Sequence, residues 1–198
     1  MNARLSLSFV IVLLCACSVA AIADDDRTQT RPTMQRVAVP VEIVDVDDGD
    51  TVTLRWSEKD HEIIRILGID TPETQHVSHN LPYDQSFGRE AAGFAKGAFA
   101  AATQVELLRS ETTDGYGRTL GYLFVNGQNY SALIVAAGLA AESVTHYGDN
   151  GLPEEAAAVL AAAESAGPLP FEAPYKFRQR MRDVTEWMKE HGRLPDAP

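Results

Sequence analysis

The sequence predicts an α+β fold with five β-strands, one helix between the third and fourth strands, and further helices at the C-terminal end. Three observations predict it. Five short segments have strand-like apolar patterns, turn sequences rich in Asp, Asn and Gly separate several of them, and an alanine-rich segment interrupts the series. A chain of 198 residues is long enough to bury a core of this kind.

The first three strands are separated by one tight turn and one polar segment. Residues 37–46 and 51–56 flank Asp48-Gly49, a pair that strongly favours a hairpin turn. In the second strand, apolar residues occupy every second position, which is the period of a half-buried strand. The third predicted strand covers residues 61–69.

Arg65 has an unusual place in the third strand. It lies on the same predicted face as Ile63, Leu67 and Ile69, because alternate residues of a strand share a face. A guanidinium on an apolar face needs an anion, which is either a protein carboxylate or a phosphate. The sequence therefore predicts that Arg65 is paired, and it leaves both kinds of anion open.

The rest of the chain is predicted to contain four helices and two strands. A turn sequence at 114–117 leads into the fifth strand, and two separated helical segments end the chain. The basic residues of the last helix indicate either a solvated face or a contact with nucleic acid. The predicted elements are a helix at 88–101, strands at 104–108 and 118–125, a short helix at 131–138, and helices at 153–165 and 175–191.

The first residues are predicted to be an export signal. Arg4 precedes an apolar run that is too short to span a bilayer, and a small-residue cleavage site comes before Asp24. We expect cleavage after Ala23 and a secreted or periplasmic protein; lipidation at Cys17, which would attach the chain to a membrane, is the alternative. The expected organisation is a signal peptide at 1–23, a disordered leader at 24–36, a barrel domain at 37–148 and a helical extension packed on the barrel at 149–198.

Three short polar motifs are the strongest functional signal in the sequence. Carboxylates suit a hard cation, and arginines suit phosphate oxygens. The motifs are Asp48-Gly-Asp50-Thr51, Arg65-Ile-Leu-Gly-Ile-Asp70-Thr-Pro-Glu73 and Asp114-Gly-Tyr-Gly-Arg118. In this order they resemble the staphylococcal nuclease (thermonuclease) family over about residues 41–140. The resemblance implies that the five strands close into an oligonucleotide-binding (OB-fold) barrel.

The resemblance also implies a calcium site and a catalytic base. Asp50 and Asp70 match the family's calcium-binding aspartates, with the backbone carbonyl of Thr71 as a further ligand. Glu73 matches the general base that activates the attacking water. Outside this context, each residue would be an ordinary turn or loop residue.

The remaining matched residues are implied to bind substrate. Arg65 and Arg118 match arginines that bind phosphate and stabilise the transition state. Asp114 matches a residue that braces a turn, and Tyr116 matches one that donates to a substrate phosphate. Of the family's stacking tyrosines, only Tyr147 has a counterpart here, displaced by one position.

The predicted function is that of a calcium-dependent nuclease that hydrolyses phosphodiester bonds in DNA, RNA or both and acts as a monomer. The formal net charge of −11 argues against a generally basic surface, so affinity has to come from a local basic cleft and a bound cation. The alternative is a non-catalytic barrel that binds nucleic acid or protein in the cell envelope. For the short sequence His76-x-x-His79, exposed loop histidines are a simpler interpretation than zinc ligands.

Overall fold

The computed structural model describes residues 27–195. The predicted signal peptide, its cleavage site before Asp24 and the alternative lipidation site at Cys17 lie outside these residues and stay predictions. None of the described helices has both the length and the apolar character needed to cross a membrane. The described strands are β1 Arg36–Val39, β2 Val44–Val46, β3 Thr51–Arg55, β4 His61–Ile66, β5 Ile69–Asp70, β6 Val105–Thr113, β7 Thr119–Val125, β8 Gln128–Asn129 and β9 Ala141–Glu142, and the helices are α1 Gly88–Ala100, α2 Tyr130–Ala136, α3 Val144–Tyr147, α4 Pro153–Ala166 and α5 Pro174–Glu190.

Seven strands form one curled sheet in the order β1-β6-β7-β4-β3-β2, with β8 added to β7. Strands β4 and β7 run parallel, and the other pairs are antiparallel. The two edge strands, β1 and β2, follow each other in the chain and are joined by Pro40 and a 3-10 turn at Val41–Ile43. The sheet curls because β1 and β2 are only a few residues apart in the chain but pair at opposite ends of the strand order, β1 with β6 and β2 with β3.

Two backbone features divide strands that the sequence predicted as continuous. Proline has no N–H to donate to a ladder, and the first predicted strand breaks at Pro40. The third ends before Gly68, whose φ of 80° is the left-handed backbone that favours glycine. Beyond Gly68, β5 pairs with β9 in a separate two-stranded sheet. The described residues therefore form nine strands instead of the five expected from the sequence.

The core lies between the curled sheet and three helices. On β4, Ile64 and Ile66 are buried, whereas Ile63 on the opposite face is 46% exposed. The predicted strand face of Arg65 is therefore shorter than expected: β4 ends at Ile66, so only Ile63 shares that face with Arg65, and Leu67 and Ile69 lie beyond the strand. The helices α1, α2 and α4 contribute the buried residues Ala95, Phe99, Tyr130, Ile134, Ala156 and Val159.

The segment before β1 lies along the sheet, although the sequence predicted a disordered leader there. The backbone N–H of Gln29 donates to the Glu111 carbonyl at 2.9 Å, and that of Met34 donates to the Arg109 carbonyl at 2.9 Å. The Gln29 side chain also donates to the Thr119 hydroxyl at 2.8 Å. Polar contacts, rather than an apolar pattern, hold the described part of this segment, which is why its composition did not predict its order.

One buried ion pair joins β4 to β6 across β7. The Arg109 guanidinium donates from Nε to Oε1 of Glu62 at 2.7 Å and from Nη2 to Oε2 at 2.8 Å. Trp56 and Thr119 donate to the same carboxylate, each at 2.8 Å. Burial acts to raise the pKa of Glu62, but these hydrogen bonds together outweigh it, so the pKa lies below its ordinary value.

The last helix, α5, has a small apolar cluster of its own. Phe177 and Met181 pack against Leu81, which lies in the loop between β5 and α1. On the same side of the helix, Thr185 donates its hydroxyl to the Asn80 carbonyl at 3.1 Å. Helix α5 is therefore docked on this loop, separately from the main core.

We predict that Glu62→Gln lowers the free energy of unfolding by about 3–5 kcal/mol at neutral pH, because it leaves the Arg109 charge buried without its partner. Since the folded-state pKa of Glu62 is lowered, its contribution is complete above the ordinary pKa of 4.5 and is lost as the pH falls below that value. Urea unfolding of both proteins from neutral to acidic pH should show a difference that narrows on acidification.

Asp45→Asn is the matched control for this variant. Asp45 pairs with Arg55 on the same sheet, but both side chains are 52% exposed. Its loss should therefore change the free energy of unfolding by less than ~1 kcal/mol. A Glu62→Gln protein as stable as this control at neutral pH would show that the buried pair contributes little.

Candidate active site

Asp50 is the last residue of the turn between β2 and β3, and its side chain connects this turn to Thr71, the residue after β5. Its Oδ2 accepts hydrogen bonds from the backbone N–H of Thr71 at 2.9 Å and from the Thr71 hydroxyl at 3.0 Å. Gly49 permits this approach, since a Cβ there would lie 2.8 Å from the Thr71 side chain. Tyr130 of α2 donates to the Gly49 carbonyl at 2.8 Å. These contacts fix the turn from two sides, and with it the Asp50 carboxylate.

Arg65, near the end of β4, lies between two aspartates. Its Nη1 is 2.8 Å from Oδ1 of Asp50, and its Nη2 is 3.5 Å from Oδ1 of Asp70. Nη2 also donates to the Ile69 carbonyl at 3.0 Å. Burial opposes the charge of this guanidinium, but Asp50 and Asp70 outweigh it and raise the pKa of Arg65. Of the two kinds of anion left open by the sequence, the partner seen here is protein carboxylate.

Glu73 begins the long loop after β5, and residues at the start of α1 hold it in place. Gln85 donates its backbone N–H to the Glu73 carbonyl at 2.8 Å, and its side-chain oxygen accepts from the Glu73 N–H at 3.2 Å. Gly88, the first residue of α1, packs so closely that a Cβ there would lie 2.2 Å from the Glu73 carbonyl oxygen. The loop can lie directly on this end of the helix because position 88 is glycine.

Arg178 of α5 completes the cluster, and the sequence analysis did not assign it to the site. Its Nη1 is 2.9 Å from Oδ1 of Asp70 and 2.5 Å from Oε1 of Glu73, and its Nη2 is 3.0 Å from Oδ2 of Asp70. One guanidinium thus contacts both carboxylates. The sequence did indicate which side of the helix Arg178 is on, because Arg178 is next to the apolar stripe that contains Phe177 and Met181.

The cluster carries more negative than positive charge. It has four carboxyl groups, those of Asp48, Asp50, Asp70 and Glu73, but only two guanidinium groups contact it among the described residues, those of Arg65 and Arg178. Burial, and then the nearby Asp50 charge, raises the pKa of Asp48 to about 7. Burial also raises the pKa of Glu73 above its ordinary value, against the opposing effect of Arg178. An added cation would relieve the repulsion that contributes to both shifts.

The chemistry of these donors fits a hard divalent cation. Asp50 and Asp70 offer carboxylate oxygens and Thr71 offers a carbonyl oxygen, the ligand types that calcium prefers. Within residues 27–195, no three histidine, cysteine or acidic side chains are grouped as a preformed metal cage. The fit therefore rests on the two aspartates and on the surplus of negative charge around them.

Arg118, Asp114 and Tyr116 contact one another rather than the cluster. Arg118 donates from Nε to Oδ2 of Asp114 at 2.7 Å, and Asp114 braces the turn by accepting the backbone N–H groups of Tyr116 and Arg118. The Tyr116 side chain is 89% exposed. In the parallel β4–β7 pair, Arg65 is level with Leu120, so Arg118 is roughly 7 Å further back along its strand. The ion pair of Arg118 is with Asp114, not with the cluster.

Two other predicted features lie outside the cluster. Tyr147 ends α3 and is 64% exposed, with its ring edge-on to that of His146 at 4.5 Å. The exposed His76 and His79 rings are 3.8 Å apart, and in the described part of the chain no third ligand completes a metal site with them. The structure gives neither feature a contact with the carboxylates.

Comparison with protein families places most of this site inside one matched region. A family model described as "Staphylococcal nuclease homologue" matches residues 63–167, just over half of the chain. The chain belongs to the staphylococcal nuclease family. The matched region includes Arg65 and Asp70 and extends through α4, whereas Asp50 lies before it and Arg178 lies after it. The contact made by α5 is therefore an addition to the matched staphylococcal nuclease unit.

Curated relatives in the staphylococcal nuclease family cover a similar part of the chain. "Thermonuclease" of Staphylococcus intermedius is 36% identical over 96 residues, which are 48% of this chain and 54% of the relative. "Thermonuclease" of Staphylococcus hyicus is 34% identical over 99 residues, or 50% and 56%. "Endonuclease YncB" of Bacillus subtilis (strain 168) is 30% identical over 107 residues, or 54% and 49%. The chain spans about half the length of these relatives.

We predict that Gly88→Ala destabilises this staphylococcal nuclease family member by ~1–3 kcal/mol, because the new Cβ would overlap the Glu73 carbonyl and push the loop off the helix. Gly93→Ala in the same helix is the matched control. Nothing lies within 4 Å of a Cβ at that position, so alanine should stabilise the protein by ~0.5–1 kcal/mol. Thermal unfolding of the three proteins measures both effects, and shifts of the same sign would contradict the close packing at Gly88.

Proposed function

We propose that this protein is a calcium-dependent nuclease that hydrolyses phosphodiester bonds in DNA, RNA or both, on an OB-fold barrel. The observation that carries the proposal is one cluster of carboxylates: Asp50 and Asp70 both pair with Arg65, and Glu73 shares Arg178 with Asp70. The names of the relatives, thermonuclease and endonuclease, support the reaction class. The carboxylate surplus supports the need for a cation.

Glu73 is the proposed general base. It lies in the loop directly after β5. Both its backbone N–H and its backbone carbonyl form hydrogen bonds with Gln85. The raised pKa of its carboxyl group suits a base that has to take a proton from water. Its proposed role is to orient and deprotonate the water that attacks phosphorus.

Arg65 and Arg118 are the proposed phosphate ligands. Arg65 is held from behind by backbone carbonyls, including that of Ile69 at 3.0 Å, so its planar guanidinium has a defined orientation. Arg118 is part-exposed and directly precedes β7, the strand that runs parallel to β4. Two forked donors that approach a phosphate from adjacent strands would stabilise the charge that develops on its oxygens in the transition state.

The proposed calcium ligands are Asp50, Asp70 and the carbonyl of Thr71. Calcium bound there would supply positive charge beside the phosphate and a position for water. The need for this charge follows from electrostatics, because the chain has a formal net charge of −11 and the cluster itself has a surplus of carboxylates. A phosphodiester is repelled from such a site until that surplus is neutralised.

We expect cleavage of single-stranded DNA and of RNA in calcium, no cleavage in chelator and little in magnesium, whose stricter octahedral geometry suits this donor set less well. Gel analysis of both substrates under the three conditions is the test. Full activity in chelator would remove calcium from the proposal. Binding of both substrates without cleavage in any metal would favour the non-catalytic binding barrel instead.

Glu73→Gln should keep the fold and lower turnover by ~10²–10⁴, the usual effect of a lost general base. Arg118→Ala should lower turnover by at least ~10², because it removes charge stabilisation from the transition state. Glu58→Gln, at an exposed position in the turn between β3 and β4, is the matched control and should be neutral. Steady-state kinetics at saturating calcium decides between these outcomes; near-normal turnover in either active-site variant means that its role is misassigned.

A further inference from the structure

Both oxygens of Asp70 are already occupied by one cationic side chain. The Arg178 guanidinium donates to Oδ1 at 2.9 Å and to Oδ2 at 3.0 Å, and its Nη1 also reaches Glu73. A metal ion that takes an Asp70 oxygen would therefore meet a positive charge at the same carboxylate. Arg178 also holds Oε1 of Glu73, and its positive charge opposes the transfer of a proton from water to that carboxylate. The proposed chemistry is therefore favoured when this arginine moves away from both carboxylates.

The attachment of α5 leaves Arg178 able to change partners. Its side chain is 31% exposed, and the helix that carries it is docked through the small cluster of Phe177, Met181 and Leu81 rather than through the main core. A change of rotamer at Arg178, or a small shift of α5, breaks no contact of the sheet. The guanidinium then stays beside the cluster, at the edge of the site.

The side of α5 that reaches the site carries two further groups suited to a nucleic-acid strand. Tyr175 and Arg182 lie three residues before and four residues after Arg178, which places the three on one face of the helix. Tyr175 is 55% exposed. Arg182 is exposed, and it has no ion pair within residues 27–195. An aromatic ring beside two arginines is a combination that binds single strands through base stacking and phosphate contacts.

We propose that Arg178 exchanges partners during the reaction: it holds Asp70 and Glu73 in the substrate-free site, and it binds a phosphate of the nucleic acid once the cation has taken its place. Helix α5 thereby forms one wall of the substrate cleft. The inference rests on the proposed nuclease function and adds a substrate-binding arginine from outside the matched family region. It also explains how a chain with a net charge of −11 gains local attraction for a phosphate.

The competition at Asp70 is tested without any substrate. Wild type, Arg178→Ala and Arg180→Ala are titrated with calcium chloride by isothermal titration calorimetry. Removal of the competing charge should tighten calcium binding at least ~5-fold in Arg178→Ala. Arg180 is the matched control on the same helix, because it is 55% exposed and pairs with Glu172 instead, so its variant should bind calcium as wild type does. Unchanged or weaker calcium binding by Arg178→Ala would overturn the proposal.

The exchange to phosphate is tested by kinetics at saturating calcium. The KM for a single-stranded DNA oligonucleotide should rise about tenfold or more in Arg178→Ala, the usual cost of a lost charge-assisted hydrogen bond. Arg178→Lys keeps the charge but not the fork, so it should fall between wild type and alanine in KM and keep calcium affinity near that of wild type. It also provides a test if alanine loosens α5. An unchanged KM in Arg178→Ala would overturn the substrate role.

Different results would contradict the nuclease function and the partner exchange of Arg178. If wild type cleaves nothing, the nuclease function fails, and the calcium titration alone still decides whether Arg178 competes for Asp70. If wild type cleaves and Arg178→Ala equals it in both calcium affinity and KM, the nuclease function stands and the partner exchange is refuted.

Discussion

The carboxylate of Asp50 is the contact on which this end of the molecule depends. It joins three segments that are separate in sequence, because one oxygen accepts from Thr71 after β5 and the other pairs with Arg65 of β4. The glycine before it removes the side chain that would keep these segments apart. Arg65, in turn, reaches Asp70. The geometry of the whole cluster therefore follows from one buried acid in a tight turn.

Two sites in the same sheet pair carboxylates with arginines, and they differ in how completely the charges are balanced. Glu62 has the guanidiniums of Arg109 and Arg31, an indole N–H and a hydroxyl as partners, and its pKa is lowered. At the sheet end, carboxylates outnumber guanidiniums and the pKa of Asp48 is raised to about 7. The paired charges at Glu62 stabilise the fold. The excess negative charge at the other site favours the binding of a cation.

Local patterns predicted the elements well and their interruptions poorly. The hairpin turn at Asp48-Gly49 and the four described α-helices other than α3 follow from turn chemistry and periodicity. The breaks at Pro40 and Gly68, in contrast, depend on which strand pairs with which. The grouping of Asp70 with Glu73 was expected from one motif. The contact of Arg178 with Asp70 was not expected. The pattern of basic residues in a helix indicates which side faces solvent, but it does not indicate which distant carboxylate an arginine contacts.

The turn that joins β1 to β2 also has a consequence for how the curled sheet can form. Strand β2 pairs with β3, its neighbour in the chain, whereas β1 pairs with β6 on the far side of α1. Closing that longer loop costs more entropy and slows folding. Until β6 has been synthesised and folded, β1 has no partner and the edge of the sheet stays open. We therefore expect the pairing of β1 with β6 to form late, and until then the open edge of the sheet could pair with a strand of a second chain.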